Sequence, residues 1–204
     1  MADTVVKRRQ ALEELADVAK SCTNCPLFKD ATQTVFGIGP ITAKLVLVGE
    51  QPGDEEDKQG EPFVGPAGKL LRSALVEVEI DPDDVYMTNV VKHFKWKPGA
   101  GWRRLHQKPN RYEIEACRPW LEGEFHLLRP RLVVGLGATA CQAMLGSSIK
   151  VLADRGKVFD WGERQVLVTV HPSSILRSRD EASRRENRQA FVADLREAAR
   201  LVRV

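Results

Sequence analysis

The chain has 204 residues, 43% of them hydrophobic and 29% charged, with a formal net charge of +3. That length supports one substantial core, so a single domain over residues 1–204, acting as a monomer, is expected. No apolar run approaches a membrane span, and the opening MADTVVKRRQALEEL lacks the order of a secretory signal, so a cytoplasmic protein is expected; the mild positive charge permits a nucleic-acid partner without requiring one.

Residues 4–20 carry apolar positions at Val5, Leu12, Leu15, Val18 and Ala19, the stripe of an amphipathic helix. Then comes Ser21-Cys22-Thr23-Asn24-Cys25-Pro26. The C-x-x-C spacing lets two thiolates reach one metal from a single turn. Redox dithiols share the spacing but follow a strand, and no strand precedes this one, so a metal-ligand pair is the better reading. The four cysteines read as ligands or free thiols rather than disulfides.

Leu45 to Val48 is a short apolar run of the kind that forms a buried strand. It ends at Gly49 and opens into a loop rich in glycine, proline and acid, until Pro66 starts a helix over 67–79. Glu50, Gln51 and Asp54 therefore sit just past the carboxyl end of a strand, where open α/β sheets hold their ligands. By composition alone this loop reads as a solvated acidic turn. Val85 to Val91 is a second strand, with Asn89 near its end and Lys92-His93 beyond. Residues 94–110 show no period and hold Lys95, Lys97, Arg103, Arg104 and Lys108, two tryptophans and no acid. A loop this long is usually functional. Cations interleaved with aromatics suit a nucleic-acid backbone and its bases, and suit a solvated surface loop equally well.

Residues 111–128 read as a helix carrying Cys117, ended by Pro130. Leu132 to Leu136 is a third strand that turns at Gly137 into a small-residue helix with Cys141. The Gly-Leu-Gly-Ala turn lacks the full dinucleotide fingerprint and reads as a tight strand-to-helix connection. Val166 to Val170, the fourth strand, delivers His171-Pro172-Ser173-Ser174, and a final helix over 181–202 buries Phe191, Leu195, Ala198 and Val202. Strands that alternate with helices predict an α/β fold of three layers, α/β/α, around a central, mostly parallel four-stranded sheet.

Three segments together resemble the uracil-DNA glycosylase superfamily: Gly49-Glu50-Gln51-Pro52-Gly53-Asp54 with Pro62-Phe63-Val64-Gly65, then Thr88-Asn89, then His171-Pro172-Ser173. Within it the chain is most similar to the iron–sulfur branch, family 4, and to UdgX-type proteins, which carry an extra basic loop ending in histidine. Arg103-Arg104-Leu105-His106 resembles that loop, with Trp102 where lysine is usual and Leu105 where isoleucine is usual. The resemblance spans nearly the whole chain, from Cys22 to the last helix.

It implies an enzyme that flips a base out of the stack. Phe63 would stack on uracil; on its own it reads as a core phenylalanine. Asn89, with a donor and an acceptor, would read the base edge; on its own it is a strand-end turn residue. His171 would stabilise charge on the leaving uracil, and reads equally as a satisfied turn histidine. Glu50 and Asp54 would face the sugar, Glu50 as the catalytic carboxylate, while Gln51 would contribute backbone more than side chain. Arg104 would contact DNA. His106 would attack the sugar and leave the protein covalently joined to the DNA, with Arg103 and Arg104 favouring the neutral imidazole. The implied [4Fe–4S] ligands are Cys22, Cys25, His93 and Cys117, with histidine where family 4 has cysteine. Rieske centres show that imidazole can ligate cluster iron. Cys141 in place of His93, or zinc in place of the cluster, is the rival assignment. A conventional family-4 glycosylase with turnover, or a non-catalytic binder of uracil-containing DNA, single-stranded DNA included, is the alternative to the covalent reading.

Overall fold

The computed structural model describes residues 2–203, and side chains from residue 4 onward. Five strands form the central sheet: β1 (Leu45–Gly49), β2 (Tyr86–Asn89), β5 (Leu132–Leu136), β6 (Val158–Trp161) and β7 (Arg164–Thr169). Their order is β2-β1-β5-β7-β6. The first four are parallel, and β6 adds antiparallel to β7 at the edge. The four predicted strands are present, and β6 is the addition. It is a half-buried edge strand with Asp160 exposed, so it lacks the apolar run that announces the inner strands.

Alternation sorts the strand side chains between two cores. Leu45 and Leu47 of β1 pack with Met87, Val134 and Leu167 under α3 (Pro66–Glu77), α7 (Pro172–Leu176) and α8 (Glu181–Arg203). Val46 and Val48 face the other way, with Val133 and Val166, onto α1 (Ala2–Ala19), α4 (Arg111–Leu128) and α5 (Ala138–Leu145). The result is the expected three-layer arrangement. Arg8 ties α1 to α4 by donating to the carbonyls of Leu127 (2.6 Å) and Leu128 (3.0 Å), the helix end where a cation is favoured.

Two departures matter for function. The acidic loop contains a short helix, α2 (Asp54–Gln59), whose first turn is wholly acidic, as the helix dipole favours. Glu56 there accepts from the N–H groups of Gly53 (3.1 Å) and Gly65 (2.8 Å), pinning both ends of the loop. Residues 94–110 are not irregular either. They form a hairpin, β3 (Trp96–Pro98) with β4 (Arg104–His106), whose turn exposes Trp102 fully. A short helix α6 (Val151–Asp154) and two 3-10 turns, Pro26–Lys29 and Pro82–Asp84, complete the elements among the described residues. No helix among the described residues is long and apolar enough to cross a membrane.

Candidate functional site

In-register pairing makes β1 and β2 end level, Gly49 opposite Asn89, while Leu136 of β5 is level with Thr169 of β7. Residues leaving these four ends line one cleft of about 740 Å³. The chain order reverses between β1 and β5, the switch point where such sheets form a crevice.

Glu50, Gln51, Asp54, Phe63, Asn89, His106 and His171 all line this cleft. Phe63 adopts φ 58°, a left-handed backbone uncommon for a bulky residue and characteristic of functional loops. Its ring stacks near His171 at a centroid distance of 6.3 Å. Gly49 makes room for it: a Cβ there would lie 2.9 Å from the Phe63 ring and 2.3 Å from Asn89 Oδ1. Asn89 is 3% exposed, and no described residue hydrogen-bonds its side-chain amide, which leaves donor and acceptor available to the cleft.

His171 Nδ1 is occupied by Ser173, by its N–H at 3.2 Å and its Oγ at 2.8 Å. The neutral ring therefore carries its proton on Nε2. Burial, then the charge of Arg177, then His106 push its pKa down to about 4. Glu50 accepts a hydrogen bond at Oε2 from Thr139 Oγ1, and its Oε1 lies 3.7 Å from His106 Nε2. The half-exposed His106 also has its pKa lowered, chiefly by burial, with Glu50 opposing and Arg177 reinforcing. The neutral imidazole expected from Arg103 and Arg104 is thus favoured chiefly by burial, with Arg177, just past α7, as the reinforcing charge.

Arg104 is committed elsewhere. Its Nε donates to Asp54 at 2.5 Å, one terminal nitrogen donates to the fully buried Asp57 at 2.6 Å, and the guanidinium lies over the Phe94 and Trp96 rings. It does not line the cleft, whereas Asp54 does and also accepts hydrogen bonds from Arg104 and Lys58. Arg104, expected from sequence to contact DNA, forms a clasp between hairpin and α2. The Gln51 side chain is engaged with the hairpin as well. Its amide accepts from Lys95 N–H (3.2 Å) and donates to the carbonyls of Lys95 (3.2 Å) and Gln107 (3.0 Å), bridging both feet of the hairpin. His106 Nε2 lies 2.9 Å from the same amide nitrogen. Among the described residues, Lys108 and Arg177 line the cleft with no carboxylate partner.

A family model of the uracil DNA glycosylase superfamily matches residues 36–196. The chain belongs to that superfamily. A type-4 uracil-DNA glycosylase of Thermotoga maritima is 39% identical over 180 residues, covering 87% of this chain and 90% of that protein. One of Archaeoglobus fulgidus is 34% identical over 175 residues, 82% and 84% of the two chains. A type-5 uracil-DNA glycosylase of Pyrobaculum aerophilum is more distant, 28% identical over 158 residues, 67% of this chain and 64% of that one.

For a member of this superfamily the cysteines are the remaining question. Cys22, Cys25 and Cys117 are neighbours close enough to influence one another's ionisation. Two of the sulfurs accept N–H donors, Cys22 from Trp120 Nε1 and Cys117 from Lys92 N, both at 3.2 Å. Such donors stabilise thiolates and tune metal-bound sulfur. Burial raises the Cys25 thiol and pushes Cys117 up to about 12, so without a cation both stay protonated. His93 is buried and its Nε2 lies 2.9 Å from Thr34 Oγ1. Among the described residues no three Cys, His, Asp or Glu side chains converge tightly enough to hold an ion. The three thiols fit a thiolate-bound centre in chemistry; with Nε2 at Thr34, Nδ1 is the His93 nitrogen that could join them. Cys141 packs with Ile149 and Val168 and donates to the Gly135 carbonyl.

Sequence reading missed Thr139 and Arg177 as cleft residues. Thr139 follows the end of β5 by three positions, the signal that did single out Glu50 and His171, whereas Arg177 lies beyond α7 and carries no such signal.

Proposed function

We propose that this chain excises uracil from DNA, single-stranded DNA included, by breaking the N-glycosidic bond. The carrying observation is the convergence of Phe63, Asn89, His171 and Glu50 on one cleft at the carboxyl edge of the sheet. The similarity to type-4 uracil-DNA glycosylases supports the same reading. An extruded uracil would stack on Phe63 and offer its edge to the Asn89 amide. As the bond from the sugar carbon to the base nitrogen breaks, the electron pair leaves with uracil, and the Nε2–H of neutral His171 meets the charge growing on its oxygen. The Glu50 carboxylate would stabilise the oxocarbenium-like sugar. Lys108 and Arg177, which line the cleft, would meet the flanking phosphates beside the hairpin that carries Arg104.

Water capturing the sugar gives turnover, the reading that the similarity to type-4 enzymes favours. A second reading has its own observation: the half-exposed imidazole of His106 sits beside Glu50 in the cleft. A ring nitrogen of neutral His106 would bond to the sugar carbon, and the ring proton would then be lost to solvent. Glu50 would favour the imidazolium formed on the way.

We further propose that Cys22, Cys25, Cys117 and His93 hold a [4Fe–4S] cluster, with zinc as the alternative ion. Its role would be to join the segment after α1 to α4 and the end of β2.

A denaturing gel with single-stranded uracil-containing DNA tests the function. The expected result is uracil release. An adduct that survives denaturation, and disappears in His106→Gly or His106→Ser with release retained, assigns His106 as nucleophile; release with no adduct assigns water. Binding without release would make the chain a binder and end the catalytic reading.

A further inference from the structure

Glu50 follows a strand end and carries three rotatable bonds, so something must hold its carboxylate if it is to act at a fixed point. The holder comes from across the switch point. Thr139 is the second residue of α5, immediately after the Gly137 turn, and is 5% exposed. Deep in a helix a threonine hydroxyl turns back to the carbonyl four residues earlier. Here that carbonyl belongs to Gly135, still in β5, and it takes the Cys141 thiol instead. The Thr139 hydroxyl is therefore free to reach sideways, and Oγ1 donates to Glu50 Oε2. β-branching limits its rotamers, so the donor is stiff. With Oε2 taken, Oε1 is the oxygen left toward His106 and the cleft.

We propose that Thr139 is a positioning residue for the reacting carboxylate, fixing Glu50 across the β1–β5 crevice. The proposal rests on the excision reading above and adds a residue that the motif-bearing segments do not contain. Placement errors of an ångström can cost about 100-fold in rate, so the hydroxyl should act on the chemical step and not on DNA affinity.

The test compares Thr139→Val, which removes the hydroxyl at nearly equal volume, with Thr139→Ser, which keeps it. Thr139→Ala serves as a second hydroxyl-free variant should valine disturb the helix. Single-turnover uracil release is measured alongside affinity for an oligonucleotide carrying 2′-fluoro-2′-deoxyuridine, which resists cleavage. Val and Ala are expected to lose about 10- to 100-fold in rate with affinity held within about twofold, and Ser to recover most of the loss. Release at the wild-type rate in the hydroxyl-free variants overturns the proposal. So does a joint loss of rate and affinity, or a serine variant as slow as valine. Wild-type protein that releases no uracil would instead remove the excision reading itself, and this proposal with it.

Discussion

His93, His106 and His171 all have pKa values below the ordinary histidine value, with burial the first cause in each. For His171 the folded pKa is about 4. Unfolded, it would titrate near 6.5, so the unfolded chain binds more protons between these limits. Stability is then fully present above about pH 6.5 and declines as the pH falls toward 4. Urea unfolding should show a lower midpoint at pH 5 than at pH 7.5, and His171→Gln should flatten that dependence. An unchanged slope in the variant would mean that His171 is not the titrating group. Sequence named this histidine from the His-Pro-Ser segment, but not its tautomer. That follows from Ser173 folding back onto Nδ1, a contact made by the turn into α7.

At the scale of elements the hairpin is the piece most changed by folding. Read as sequence, its cations suit a DNA surface and a solvated loop equally; in the structure they divide. Arg104 is consumed by Asp54 and Asp57, and Lys95 by Glu113 at 2.9 Å. Trp96 donates to the Asp30 carbonyl, while Trp102 stays exposed. The hairpin is thus fastened along one side and free at its turn, and the fastening decides where His106 sits. Removing one partner of a buried ion pair leaves the other uncompensated. Arg104→Gln should strand Asp57 beside Thr32 and cost about 3 kcal/mol in urea unfolding. A cost below about 1 kcal/mol would show the clasp to be solvent-screened and dispensable. Asp57 could not be singled out in advance, because a run of four acids looks solvated throughout until the helix turns two of them, Glu56 and Asp57, inward.

Across the whole molecule one buried network joins the two candidate centres. Lys92 Nζ donates to Glu124 (2.6 Å), Thr88 (2.6 Å) and the Asn89 carbonyl (2.9 Å), while Lys92 N–H reaches Cys117 Sγ. Glu124 also takes the Tyr86 hydroxyl and the Gly37 N–H, so both charges are satisfied at essentially zero exposure. The cysteine region and Asn89 are therefore mechanically adjacent. If a cluster occupies that region, purified protein should be brown, and iron removal should bleach the visible absorption and lower the thermal midpoint, since a bound ion stabilises the fold that binds it. Colourless protein that contains zinc would assign zinc instead.

The sequence by itself determined the layers and the edge that matters. Four apolar runs separated by helical stripes leave little choice but a parallel sheet, and polar residues just after such runs must gather at its carboxyl end. Hence Glu50, Asn89 and His171 were legible from position and motif. Only the tertiary structure decided which charges are spent and which are available. Arg104 and Arg177 are the same residue type in similar basic surroundings, yet one is locked between two carboxylates and the other lines the cleft. The pairing of Thr139 with Glu50 spans 89 positions and exists because β5 lies beside β1. Local sequence carries no trace of a contact whose distance is set by strand order.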